Sequence, residues 1–75
     1  MRDKFRILPM CATLQSIWEL YPDLRFGQLL YNFTDFACKQ TGQRDVFNIE
    51  DDVMQQLLAQ YYEELTRDGS KAGNK

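Results

Sequence analysis

The chain has 75 residues, 44% of them hydrophobic and 13% aromatic, a composition typical of one small globular domain. Its formal net charge of −2 argues against the broad basic surface that nucleic acids and anionic membranes attract. Two cysteines without any histidine exclude the usual four-ligand zinc site.

The first residues, 1–8, alternate between basic and apolar side chains, which predicts an extended arm or a short helical turn. Ile7 and Leu8 are expected to pack on the edge of the domain, and a basic arm that contacts phosphate is the alternative.

The first helix is predicted over 9–21, because Pro9 suits a first turn and apolar residues then recur at helical spacing. Within it, Trp18 is expected to anchor the core with its indole N–H bonded near the edge, and a binding-site tryptophan is the alternative.

The second helix is predicted over 24–40 and has the strongest helical pattern in the chain, with one apolar face: Phe26, Leu29, Leu30, Phe33, Phe36 and Ala37. Pro22 ends the preceding helix, and Asp23 is expected to cap the new one. Gly42 is expected to end it in the left-handed conformation. Gly27 predicts the close approach of another helix, and a backbone contact with a ligand is the alternative.

The longest predicted connection, 41–48, contains Val46 and Phe47, which either tuck against the core or contact a partner. The third helix is predicted over 49–67, with Asn48 as its N-cap and three acidic residues in its first turn. The spacing of these acidic residues does not match a calcium loop.

Three amphipathic helices with short connections predict an all-α fold, a compact three-helix bundle. The expected domain covers 1–68, and residues 69–75 are expected to form a flexible tail.

Cys11 and Cys38 fall within the predicted helices, and we interpret them as small buried residues, with a disulfide as the alternative. No window approaches the roughly 18 apolar residues of a membrane span, and no secretory signal is visible, so we expect a cytoplasmic protein.

Two stretches carry a resemblance to other sequences. Residues 18–32 contain P-D-L-R-F-G-Q-L, and residues 45–52 read D-V-F-N-I-E-D-D. In both, the chain resembles a group of short, uncharacterised bacterial and phage open reading frames with the pattern P-D-L-R-(F/L)-G-Q-L … D-x-F-x-x-E-D. The resemblance covers about residues 7–65 and implies a bacterial or phage origin, without a catalytic residue. The loop between the motifs is longer here than in many of these sequences, and Asn48 stands where the group is expected to have tyrosine.

The motifs also predict a polar clasp between the starts of the second and third helices, with six members: Asp23, Arg25, Gln28, Asn32, Glu50 and Asp51. The members at 25, 28 and 32 are spaced three and four residues apart, so they project from one flank of the helix. Glu50 and Asp51 are expected to reach Arg25 across the bundle. A recognition surface is the alternative interpretation.

No residues suggest an active site, because the chain lacks histidine, a serine beside a base and a glycine-rich phosphate loop. We therefore expect no catalysis, no metal and no cofactor. The preferred interpretation is a protein–protein interaction module that binds an unknown protein or a second copy of itself. Large residues left over after the core stripes are filled are the candidate contacts: Tyr31, Phe47, Tyr62 and Leu24.

The alternative function is that of a small nucleic-acid-binding or regulatory protein resembling a helix-turn-helix. A basic strip favours it: Arg2, Lys4, Arg6 and Arg25. Against it, the would-be recognition helix begins with acidic residues that phosphates repel, and the connection before it exceeds the usual length. We therefore expect no nucleic-acid partner and no membrane partner.

Overall fold

A computed structural model describes residues 3–67, and the predicted tail, 69–75, lies outside the described residues. A short 3₁₀ turn, Lys4–Arg6, leads into three α-helices: α1, Ile7–Leu20; α2, Phe26–Thr41; and α3, Asp51–Thr66. This part of the chain contains no strand. The predicted all-α three-helix bundle is confirmed.

The core consists of six buried side chains drawn from all three helices: Ile17, Leu29, Phe33, Ala37, Leu57 and Leu58. On α2 the buried positions are four residues apart, which keeps them on one face of a helix. The last helix, α3, packs against both α1 and α2, whereas α1 and α2 contact each other less. The core therefore closes around α3, although the strongest sequence pattern lies in α2.

The N-terminal part of α1 begins earlier than predicted. The side chain of Asp3 accepts a hydrogen bond from the backbone N–H of Phe5 at 3.0 Å, which starts the 3₁₀ turn. The α-helix continues from Ile7, and Pro9 lies within its first turn, where its missing N–H leaves no helical bond unmade. Of the two predicted forms of the arm, the short helical turn is the one observed over residues 4–6. Ile7 and Leu8 are exposed, so their predicted packing on the domain edge is wrong.

Trp18 connects α1 to the start of α2. Its indole Nε1 donates to the carbonyl of Leu24 at 2.9 Å, and its ring lies 5.3 Å from that of Phe26. The half-buried ring packs against the core, so both parts of the prediction for Trp18 are confirmed.

The start of α2 differs from the prediction. A turn closed by the Leu24 N–H and the Tyr21 carbonyl, at 3.0 Å, delays the helix to Phe26. Asp23 lies in this turn, so its predicted role as the cap is wrong. Arg25 is the N-cap residue, and Gln28 Oε1 accepts a hydrogen bond from its backbone N–H at 2.9 Å.

Of the predictions for the two glycines near the ends of α2, one is confirmed and one is wrong. Gly42 ends the helix with φ of 75° and donates its N–H to the Cys38 carbonyl at 2.8 Å, as predicted. Gly27 is exposed, and a Cβ there would meet nothing within 4 Å. The predicted close approach at Gly27 is wrong, because the core side of the helix lies at Leu29 and Phe33.

The N-cap of α3 is Glu50 rather than Asn48, so that prediction is also wrong. The Ile49 N–H donates to the Val46 carbonyl at 3.2 Å, and both of these side chains pack against the core. This inward-facing turn uses residues 46–49 and delays the helix to Asp51.

The cysteines are both free thiols. Cys38 is half-buried, but Cys11 is exposed, so its predicted burial is wrong. Cys11 is six residues from Ile17, which places it about 120° around α1 from that buried side chain and away from the core. Over residues 3–67, each helix is too short or too polar to cross a bilayer.

Candidate interaction surface

The connection between α2 and α3 divides two neighbouring apolar residues. Val46 is half-buried against the core, whereas Phe47 is 91% exposed. Asp45 Oδ1 accepts a hydrogen bond from the Phe47 N–H at 3.1 Å, an Asx turn that fixes the backbone here. Of the alternatives that the sequence left open, Val46 therefore faces inward and Phe47 outward.

Tyr31, which is 70% exposed, stands on α2 beside this connection. A groove of about 320 Å³ lies between α2 and this connection. The wall on α2 is lined by Tyr31, Thr34, Asp35 and Cys38, and the opposite wall is lined by Arg44, Asp45 and Val46. We call Tyr31, Phe47 and this groove the loop surface. Asp35 pairs with Lys39 at 3.1 Å on the α2 side. The loop surface therefore combines two exposed aromatic rings with charges of both signs.

The other two predicted contact residues lie elsewhere. Tyr62 is exposed and lines a separate groove of about 530 Å³ between α1 and α3. Leu24 is half-buried, and it lines a smaller cavity of about 240 Å³ together with Tyr21 and Tyr61. The four predicted residues therefore do not form one surface. Tyr31 lines the groove of the loop surface, and Phe47 directly follows Val46, which lines the opposite wall.

The predicted polar clasp is arranged differently from the expectation. Asp51 accepts a hydrogen bond from Arg6 Nε at 2.6 Å, so the acidic start of α3 is held by the N-terminal turn rather than by Arg25. Among the ion pairs of residues 3–67, none includes Arg25. Gln28 contacts the backbone of Arg25, as described above, so these two members of the clasp do meet.

The remaining members of the clasp are dispersed. Asp23, Asn32 and Glu50 are all exposed. Asn32 borders the 240 Å³ cavity, whereas Glu50 is the N-cap residue of α3. Sequence reasoning missed Arg6 as the partner of Asp51, because no local spacing relates residues that are 45 positions apart.

Tyr21, the C-cap residue of α1, and Tyr61 of α3 line the same 240 Å³ cavity. The rings of Phe33 and Phe36 lie 5.7 and 4.9 Å from that of Tyr61. Burial, followed by the charges of Tyr21 and Asp35, raises the pKa of Tyr61, so its phenol stays protonated at neutral pH. The Tyr21 hydroxyl is buried and has no hydrogen-bond partner.

Within residues 3–67, no group of three or more Cys, Asp or Glu side chains could hold a metal ion. Comparison with models of protein families, with curated proteins and with solved structures finds no match to this chain.

Proposed function

We propose that this protein is a non-catalytic protein–protein interaction module of the cytoplasm, and that its loop surface binds the partner. The observation that carries the proposal is the 91% exposure of Phe47, which directly follows three residues that line the groove opposite Tyr31. Full burial of a phenylalanine side chain contributes about 1.5–3 kcal/mol, and this ring does not contribute it to the bundle. At an interface the ring would recover that free energy, which is why aromatic residues anchor many interfaces.

The groove supports the proposal because it offers a recess along the same connection that carries the exposed ring. One wall belongs to a helix and the other to a connection whose turn is fixed by Asp45. Arg44 and Asp35 line the groove, and each can form a polar contact with a bound chain. A partner segment with one apolar anchor and one charged side chain fits these features. The bacterial or phage origin suggested by the two motifs makes a bacterial lysate the first source of partners to search.

The test uses affinity purification from a bacterial lysate with the wild-type chain and three variants. Proteins retained by the wild type should be lost with Phe47→Ala and Tyr31→Ala but kept by Tyr62→Ala, a matched control on the other groove. A purified partner should then bind each of the first two variants roughly 5- to 30-fold more weakly in titration calorimetry. Binding that is unchanged in both variants would contradict the proposed role of the loop surface.

Stability measurements make this test interpretable. Phe47→Ala should leave the thermal midpoint almost unchanged, because its ring lies outside the bundle.

We do not propose nucleic-acid binding, since Arg6, one cation of the predicted basic strip, is already held by Asp51. A gel shift at low salt, where electrostatic binding is strongest, checks that alternative.

A further inference from the structure

The outward side of α1 has a stripe of exposed residues that carries almost no charge. Its members follow helical spacing and are all exposed: Leu8, Cys11, Ala12, Gln15 and Glu19. We call them the α1 stripe. Glu19 is the single charged residue in the 14 residues of α1. A solvated helix face is normally charged, whereas the centre of an interface is depleted of charge.

Large apolar side chains continue the α1 stripe at its N-terminal end. Phe5 and Leu8 are 75% and 76% exposed, and Ile7 between them is exposed as well. Single exposed apolar residues are ordinary, but three within four positions concentrate apolar surface at this end, and we call these three residues the apolar patch. This patch is on α1 and the turn before it, so it is separate from the loop surface on α2 and its connection.

The charges at the two ends of the α1 stripe are opposite. Lys4 precedes Leu8 by about one turn, and Glu19 ends the stripe. Among residues 3–67 neither takes part in an ion pair. Lys4 lies 5.9 Å from the centre of the Phe5 ring, and Glu19 accepts a hydrogen bond from Gln15 at 2.9 Å.

This arrangement is self-complementary for an antiparallel partner helix. A two-fold axis between Cys11 and Ala12 sets Leu8 opposite the partner's Gln15, because these two residues are equally far from that point. The same axis sets Lys4 opposite the partner's Glu19, and each contact occurs twice, as two-fold symmetry requires. Cys11 and Ala12 are small, so the helix axes can approach to about 8 Å, the close end of the usual range.

We propose that the α1 stripe is the interface of a homodimer in which two copies of α1 pack antiparallel. The inference rests on the proposed role as an interaction module and names a second copy as the partner of this separate surface. Fourteen residues of helix span about 21 Å, so one helix pair buries less than the roughly 1,200 Å² of a standard stable interface. The dimer is therefore weak and forms in a concentration-dependent manner.

The first test is sedimentation equilibrium with a reducing agent, from about 10 μM to about 1 mM protein, the range expected for a small interface. The mean mass should rise toward twice that of the chain. Leu8→Glu should weaken association at least about tenfold, because it introduces a charge into the apolar patch. Phe47→Ala, the control on the loop surface, should associate like the wild type.

A chain that stays monomeric at the highest concentration would overturn the dimer but would leave the proposed partner binding at the loop surface to its own test. Loss of dimer in Phe47→Ala with retention in Leu8→Glu would also overturn the inference, since it would assign self-association to the loop surface. Circular dichroism of each variant separates a lost interface from a lost fold.

Charge reversal tests the antiparallel register. Lys4→Glu and Glu19→Lys should each weaken the dimer roughly threefold or more, because each turns two attractive contacts into repulsive ones. The double variant restores opposite charges and should return the affinity to within about twofold of the wild type. A double variant weaker than both single variants would refute this register.

Thiol cross-linking provides a second measure of the same geometry. A short bismaleimide joins one Cys11 thiol from each copy and should yield a covalent dimer. The two Cys11 residues lie half a residue from the two-fold axis, so their Cα atoms are roughly 5–7 Å apart at interaxial distances of about 8–10 Å. Cys38→Ser should leave the cross-linked yield unchanged, and Cys11→Ser should abolish it. Cross-linking that persists in Cys11→Ser and disappears in Cys38→Ser would overturn the inference.

Discussion

The contact between Arg6 and Asp51 allows the coupling free energy of this ion pair to be predicted. The two side chains meet at 2.6 Å and are 32% and 33% exposed, so solvent screens the pair only in part. Exposed ion pairs contribute about 0.2–1 kcal/mol, whereas removing one partner of a buried pair costs about 3–5 kcal/mol. For this intermediate burial we expect a coupling free energy of about 1–2 kcal/mol, which lies between those two ranges. In a chain of this size, each 1 kcal/mol corresponds to about 4–8 °C in the thermal midpoint.

The assay is a double-mutant cycle with Arg6→Ala, Asp51→Asn and the double variant, each unfolded in urea and followed by helical circular dichroism. The cycle isolates the pair from every other contact that each residue makes. The matched control is Lys39 with Asp35, an exposed pair four residues apart on α2, for which we expect about 0.3–0.5 kcal/mol. A coupling for Arg6 and Asp51 no larger than that of the control pair would refute the reasoning from partial burial.

Three further predictions concern the aromatic residues around the core. Trp18→Phe removes the hydrogen bond from Nε1 to the Leu24 carbonyl at 2.9 Å and should lower the free energy of unfolding in urea by about 1–2 kcal/mol; an unchanged value would show that this bond adds nothing net. Tyr21→Phe removes a buried hydroxyl without a hydrogen-bond partner and should leave the thermal midpoint unchanged or raise it, whereas a clear decrease would mean that the hydroxyl is satisfied in solution. Because the pKa of Tyr61 is raised in the folded state, the stability linked to its proton is complete below about pH 10 and is lost as the pH rises through the folded pKa. Urea unfolding between about pH 8 and about pH 11 should show this decline, and Tyr61→Phe should reduce it.

The helices could be predicted from the sequence because their apolar spacing is local. Apolar side chains recur every four residues at Leu29, Phe33 and Ala37. This spacing predicts a helix with that side buried. The ends of the helices were harder, since they depend on contacts from elsewhere in the chain. Asn48 looks like a cap by residue type, but the turn formed by Val46 and Ile49 packs inward and moves the start of α3.

The candidate surfaces could be predicted only in part for the same reason. Phe47 can be recognised as a candidate for exposure once the core positions are assigned. Its neighbour Val46 is an equally good candidate until the fold shows which of the two side chains faces the core. Cys11 and Leu8 lie in a helix with little charge, and composition alone makes them resemble core residues. Their exposure follows from the rotation of α1 that buries Ile17, and that rotation is a property of the whole bundle.

The helix that packs against both others is also the last of the three to leave the ribosome. Until α3 emerges, α1 and α2 have no surface on which to bury Ile17, Leu29 and Phe33 together. At about 5–20 residues per second, the 16 residues of α3 take roughly 1–3 s to synthesise, whereas helices form in about a microsecond. The time during which the nascent chain exposes its apolar side chains to chaperones is therefore determined by translation rather than by folding.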